Sequence, residues 1–194
     1  MPELPEPIRL FVEILDEARS LGIKNPDAMV LSTVDEEGRP SSRQVLLKRV
    51  DERGFVFYTN LESRKARHIA ARPSVALNFY WRELDRQVHV EGPARPVAEE
   101  TADAYFATRD RGSQLGAWAS RQSRPLESRA RLLAEVAKVE ARHLGGAIPR
   151  PDFWSGFCVE PVRIEHWHAG AFRLHDRISW RLQDGVWTST RLYP

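Results

Sequence analysis

The 194-residue chain predicts an α+β fold, mainly antiparallel β, in which a barrel carries flanking helices. Three observations point there. Short β-rich runs, roughly seven or eight of them, fall in two blocks separated by helical patterns. Tight turn signals join consecutive runs, so neighbouring strands pair antiparallel. No internal repeat, low-complexity tract or flexible linker interrupts residues 1–194, which read as a single domain whose part from about 153 onward completes the barrel.

Residues 8–21 place Ile8, Phe11, Ile14, Leu15, Ala18 and Leu21 at helical spacing, with Gly22 as the stop. Residues 28–34, 43–50 and 55–59 are expected strands of a β-meander, separated by Asp35-Glu-Glu-Gly38 and Asp51-Glu-Arg-Gly54. Residues 63–71 look helical and stop before Pro73; 75–81 and 87–92 form a strand pair around a polar turn. Helices are expected over 98–107 and 126–143, the latter with Leu132, Leu133, Val136 and Val139 on one face. From about 157 to 192 the chain is β again, with Gln183-Asp-Gly185 as its last hairpin turn.

Composition narrows the function classes. Lys plus Arg is 29 and Asp plus Glu is 27, a formal charge of +2. That near-balance argues against a nucleic-acid module, as does the lack of a basic stripe interleaved with exposed aromatics. A single cysteine, Cys158, excludes an internal disulfide and a cysteine-based zinc site. The start lacks the basic and apolar regions of a secretory signal, and no apolar run is long enough to cross a membrane. The expectation is a soluble cytoplasmic protein. His166, His168 and His175 follow no familiar metal-ligand spacing, so no metal is expected. Neither a dinucleotide-binding glycine motif nor a P-loop is present.

Five segments carry chemistry. In Arg43-Gln-Val-Leu-Leu-Lys48 two cations bracket an apolar strand; snorkelling into water is the plain alternative. In Tyr58-Thr-Asn-Leu-Glu-Ser63-Arg64-Lys65 a helix starts with a basic pair, against its own dipole unless an anion lies there. Tyr105 and Arg109 would stack on one helix face with Ser113 just beyond, a phenol, guanidinium and hydroxyl suited to a phosphate dianion. Trp118-Ala-Ser-Arg-Gln122-Ser123 offers amide and hydroxyl donors, or is simply a polar loop. In Arg173-Leu-His175-Asp-Arg177 a strand would point two guanidiniums and an imidazole to one side. They would repel unless an anionic or electron-rich group, or acidic neighbours, lay against them.

Together these segments resemble the pyridoxine (pyridoxamine) 5′-phosphate oxidase family, from about Pro7 to Arg191-Leu-Tyr-Pro194. Further matching pieces are Phe57-Tyr-Thr-Asn60, Ser63-Arg-Lys-Ala66, Arg86-Gln-Val88, Ser113-Gln-Leu-Gly-Ala-Trp118 and Phe153-Trp-x-Gly156. The resemblance implies an FMN-binding split barrel acting as a homodimer, with FMN at the subunit interface. It implies oxidation of pyridoxine or pyridoxamine 5′-phosphate to pyridoxal 5′-phosphate, with O2 as acceptor and H2O2 as product.

Carried over residue by residue, it assigns FMN to Arg43, Gln44, Val45, Leu46, Leu47, Lys48, Tyr58, Thr59, Arg64, Lys65, Gln87, Gln122, Ser123, Trp167 and Arg177. It assigns the substrate to Lys48, Tyr105, Arg109, Ser113, Arg173, Leu174 and His175, with Arg173 and His175 catalytic. Two departures stand out. Six residues precede Pro7, so the basic, tyrosine-bearing lid segment of the family is expected to be missing or reduced; and His168 stands where the family commonly has Gln. The alternatives are a same-fold oxidase of phenazine-biosynthesis type and a non-enzymatic flavin-binding split barrel, which would need neither Arg173 nor His175.

Overall fold

A computed structural model describes residues 4–194, so the first residues of the segment before Pro7 lie outside it. Helix α1 (Glu6–Ser20) opens on Pro7, whose fixed φ suits a first turn, and ends before Gly22 at φ +67. Its apolar stripe, Ile8, Phe11, Leu15 and Ala18, is buried against a curled antiparallel sheet. Strands β1 (Ala28–Val34), β2 (Pro40–Leu46), β3 (Arg49–Asp51) and β4 (Gly54–Asn60) follow. After α2 (Arg64–Ala71) come β5 (Ser74–Trp81) and the long β6 (Arg86–Pro96). Three helices then run in series: α3 (Glu99–Thr108), α4 (Arg111–Ala119) and α5 (Arg129–Arg142). Strands β7 (Trp154–Val159), β8 (Arg163–His168), β9 (Asp176–Gln183) and β10 (Val186–Leu192) complete the chain.

Among the described residues ten strands form one sheet: β10-β9-β8-β6-β5-β1-β2 run in that order, β7 bridges β6 to β4, and β3 pairs with β4. Strand β6 makes the curl: residues 86–91 pair with β8, whereas 94–96 pair with β7. Among the described residues the result is a half-barrel with five helices. Its core gathers Phe11, Phe55, Phe57, Phe79 and Leu77, all fully buried. Phe11 meets Phe55 at 4.9 Å and Phe79 at 4.7 Å, edge to face. A second apolar cluster, Phe106, Leu115, Val139, Ile148 and Trp154, ties the three serial helices to β7. The last hairpin forms as expected, with Asp184 and Gly185 both at positive φ.

Four expectations are corrected. The run 43–50 is two strands, because Leu47 turns into the core and the chain changes partners, β2 pairing with β1 and β3 with β4. The expected meander is therefore split. Residues 111–119 form a helix, α4, that the sequence did not announce. The last long helix starts at Arg129, capped by the Ser128 side chain, which accepts from the Arg131 N–H. Residues 173–177 are not one strand. Arg173 ends a 3-10 turn (Ala171–Arg173), His175 follows in a loop, and β9 begins at Asp176.

Truncating Phe11 to Ala removes the ring at the centre of the core. It should destabilise the protein by about 3–5 kcal/mol in denaturant unfolding; a loss below about 1 kcal/mol would contradict this packing.

Candidate functional site

A cavity of about 540 Å³ opens where β2, β4, the start of α2 and the serial helices meet. Its walls include Arg43, Gln44, Val45, Leu46, Lys48, Tyr58, Thr59, Lys65, Tyr105, Arg109, Ser113 and Gln122. Strand β2 supplies the first four in sequence because the residues after Arg43 lie along its edge. Among the described residues no carboxylate lines the cavity, although four cations do. Lys48 is the one with a carboxylate partner, Asp27, at 3.2 Å. Arg43 is held by neutral acceptors: the Leu31 carbonyl, Thr33 Oγ1 and Ser41 Oγ.

Lys65 is buried in the first turn of α2. Its ammonium donates to Thr59 Oγ1, Ser63 Oγ and Gln122 Oε1, the last at 2.8 Å. Burial, helped by the Arg43 guanidinium, pulls its pKa down to about 8. Arg109 caps α3 from beyond its end and lies 4.8 Å over the Trp154 ring. Its Nη1 is buried without a hydrogen-bond partner, and burial lowers its pKa. A buried, unpartnered guanidinium nitrogen in a cationic cavity fits an anion that accepts from it.

The apolar wall is flat. Tyr58 stacks on Tyr105 with centroids 4.0 Å apart, and Trp154 lies parallel to Tyr58 at 5.4 Å. Gly156 makes room for this: a Cβ there would come within 2.7 Å of the Tyr58 ring. Tyr105 and Arg109 do not share a helix face, since α3 stops at Thr108; Ser113 arrives from the first turn of α4 instead.

The remaining expected residues fall elsewhere. Leu47 is core, 5% exposed, and does not line the cavity. Arg64 lines a different groove, with Arg67, His68 and Asp35, and its backbone N–H donates to Ser123 Oγ at 3.2 Å. Gln87, Trp167 and Arg177 occupy one rung across β6, β8 and β9. His175 packs its ring 4.7 Å from Trp167, and its Nδ1 accepts from the Gly170 N–H, which puts the ring proton on Nε2. Phe172 and Arg173 both adopt positive φ, a strained pair of non-glycine residues. Leu174 and His175 line a groove of about 540 Å³ with the C-terminal residues. Gln87 lines another, about 550 Å³, to which Gln44 also contributes. Gln87, Leu174 and His175 thus stand apart from the cationic cavity within one chain, while Gln44 lines both that cavity and the Gln87 groove.

A family model described as pyridoxamine 5′-phosphate oxidase matches residues 14–143, and one described as the pyridoxine 5′-phosphate oxidase C-terminal dimerisation region matches 154–194. The chain belongs to the pyridoxamine 5′-phosphate oxidase family. A Rubrobacter xylanophilus protein named pyridoxine/pyridoxamine 5′-phosphate oxidase is 56% identical over 190 residues, covering 98% of this chain and 88% of the relative. A Rhizobium meliloti protein of the same name is 53% identical, covering 97% of this chain and 93% of the relative. Among solved structures, PhzG from Burkholderia lata, in complex with tetrahydrophenazine-1-carboxylic acid, superposes with TM-score 0.93 at 34% identity, covering 100% of this chain and 94% of that one. A Nostoc punctiforme FMN-binding protein related to the oxidase shares the fold, with TM-score 0.82 at 17% identity, covering 99% and 100% of the two chains.

Family membership leaves two residues for the structure to reveal. Trp154 stands inside a quoted motif, yet its stacking role needs β7 beside β4. Glu165, 9% exposed at its side chain, holds Arg177: Oε1 accepts from Arg177 Nε at 2.8 Å and lies 2.7 Å from Nη2, while Oε2 accepts from Arg163. No spacing rule links Glu165 to Arg177, since the contact crosses from β8 to β9.

The depressed Lys65 pKa has a stability consequence. The unfolded chain binds the Lys65 proton up to a pH near its ordinary value of 10.5, whereas the folded chain releases it near 8. Stability of the ligand-free protein should therefore rise between those pH values from this group. Lys65→Met should flatten that rise and raise the thermal midpoint at neutral pH. A variant with an unchanged pH slope would refute the assignment.

Proposed function

We propose that this chain is a cytoplasmic, FMN-dependent homodimeric oxidase that converts pyridoxine or pyridoxamine 5′-phosphate to pyridoxal 5′-phosphate, reducing O2 to H2O2. The observation that carries the reading is the carboxylate-free cavity with its unpartnered Arg109 Nη1. FMN and the vitamer each bring a phosphate dianion and a flat heteroaromatic ring, the two features this cavity complements. The match to a dimerisation region supports the homodimer. The separation of Gln87, Trp167 and Arg177 from the cavity supports a flavin held between subunits, because a second chain can bring its own rung against the first chain's cavity.

When bound, FMN supplies the two-electron acceptor and the route of those electrons to O2. The chain's residues do the rest. Arg43, Arg64, Lys65, Gln122 and Ser123 hold the flavin phosphate; Lys65 gains a true counter-ion there in place of neutral acceptors. Gln44, Val45 and Leu46 present an extended edge to the flavin, with Lys48, Tyr58 and Thr59 around it. Lys48, Tyr105, Arg109 and Ser113 take the substrate phosphate. Arg173, His175 and Leu174 close over the pyridine ring, Arg173 orienting it and His175 donating from Nε2. Leu47 supports this wall from the core rather than touching ligand. Gln87, Trp167 and Arg177 face the flavin from the partner.

The PhzG likeness defines the competing substrate class, a carboxylated phenazine precursor. Purified protein should show oxidised-flavin absorption, with FMN released on denaturation. It should turn over pyridoxine 5′-phosphate far faster than pyridoxine or a phenazine precursor. Arg109→Ala should cost about 10–150-fold in kcat/KM for the phosphorylated substrate, the worth of one hydrogen bond to a charged group, with flavin content retained. Equal turnover of pyridoxine and its phosphate would overturn the substrate assignment.

A further inference from the structure

His68 is a buried imidazole with no place among the residues assigned above. It projects from α2, is 7% exposed, and packs against β1. Its Nδ1 lies 3.1 Å from Thr33 Oγ1, and its Nε2 accepts from Arg64 Nε at 3.4 Å. Thr33 Oγ1 accepts from Arg43 Nη1 at 2.7 Å and donates to the Ser41 carbonyl at 3.4 Å.

Donor and acceptor capacity fixes the tautomer. A guanidinium donates and never accepts, so Nε2 must carry the lone pair. The neutral ring then bears its proton on Nδ1 and gives it to Thr33 Oγ1. Every group in the relay is satisfied in this one arrangement. It runs Arg64, His68, Thr33, Arg43, and spans three elements, α2, β1 and β2.

We infer that His68 is a positioning residue for the cofactor phosphate, its neutral imidazole coupling the guanidinium of Arg64 to that of Arg43 through Thr33. The inference rests on the reading that Arg43 and Arg64 hold the FMN phosphate. A protonated ring would aim an N–H at the Arg64 Nε–H, donor against donor, and break the link. It would also add a cation to a neighbourhood already holding Arg64 and Arg67 on α2 and Arg43 on β2, faced by the loop after β1, where Asp35, Glu36, Glu37 and Arg39 line the same groove as His68. Burial first, and then Arg64, keep the His68 pKa below the ordinary histidine value, which favours the coupling form at neutral pH.

The test titrates the full-length chain with FMN and with riboflavin, which lacks the phosphate, by quenching of flavin fluorescence. His68→Leu should weaken FMN about tenfold, the scale of losing a supporting hydrogen bond behind a ligand-binding group, and leave riboflavin affinity unchanged. His68→Gln, whose amide both donates and accepts, should restore FMN affinity. It should also lose the part of the acid-side weakening that the wild type owes to imidazole protonation. Arg43→Ala calibrates the underlying reading. If Arg43→Ala weakens FMN and His68→Leu does not, the role of His68 is wrong. If Arg43→Ala leaves FMN affinity intact, the phosphate assignment itself fails and takes the inference with it. Should His68→Leu not fold, wild-type and His68→Gln profiles that run parallel from neutral to acid pH overturn the proposal.

Discussion

Cations gathered without counter-ions are the constraint around which this molecule is arranged. Arg43, Lys65 and Arg109 converge on one cavity, and among the described residues none of them has a carboxylate partner. Desolvating a charge without compensation is costly, and the protein absorbs that cost in visible ways. Lys65 surrounds itself with neutral oxygens and gives up its proton more easily than a free lysine. Arg109 spreads its guanidinium over Trp154. Any anion that binds such a site in the folded state alone adds to the stability of that state.

The fold makes this strain possible by supplying stability elsewhere. The aromatic core around Phe11 lies between α1 and the curled sheet, with Val45 of the cavity wall packed against it. The serial helices hang on a smaller core of their own, with Trp154 shared between that core and the site. Trp154 links the two functions because β7 pairs with β4 on one edge and β6 on the other. A helix that merely flanked the barrel could not bring Tyr105, Arg109 and Ser113 to the end of β4; the turn between α3 and α4 does so.

Much of this was legible in the sequence, and the failures have physical causes. Strands with strict alternation, such as β1, declared themselves, as did α1 with its clean apolar stripe. The helix α4 did not, because Gly112, Ser113 and Gly116 are poor helix formers and its buried positions are few. The break at Leu47-Lys48 was hidden because an apolar run reads the same whether a strand continues or changes partner. The segment from Arg173 to Arg177 alternates like a strand, yet Phe172 and Arg173 take positive φ with no glycine at either position. Gly170 was the available hint: a Cβ there would fall 2.0 Å from the Leu174 carbonyl, so the loop folds back upon it. Arg43, Lys48, Lys65, Tyr105, Arg109 and Ser113 nevertheless meet at one cavity, because it gathers side chains from several elements rather than from any one expected strand or helix.

Pairing, more than the number of cations, distinguishes Arg43, Lys65 and Arg109 from Arg163 of β8 and Arg177 of β9. Arg163 and Arg177 are as crowded as Arg43 and Lys65, but Glu165 and Glu91 answer them, Glu165 through both carboxylate oxygens. Arg39 and Arg150 likewise have Asp35 and Asp103. A guanidinium fixed by a buried carboxylate is oriented before any ligand arrives and loses little freedom on contact, so it suits aiming at a polarisable ring. One left among hydroxyls and carbonyls keeps its charge available, so it suits capturing a phosphate. The carboxylates set the two arginines apart: Glu165 fixes Arg177 across β8 and β9, whereas Arg43 donates to the neutral oxygens of Thr33 and Ser41.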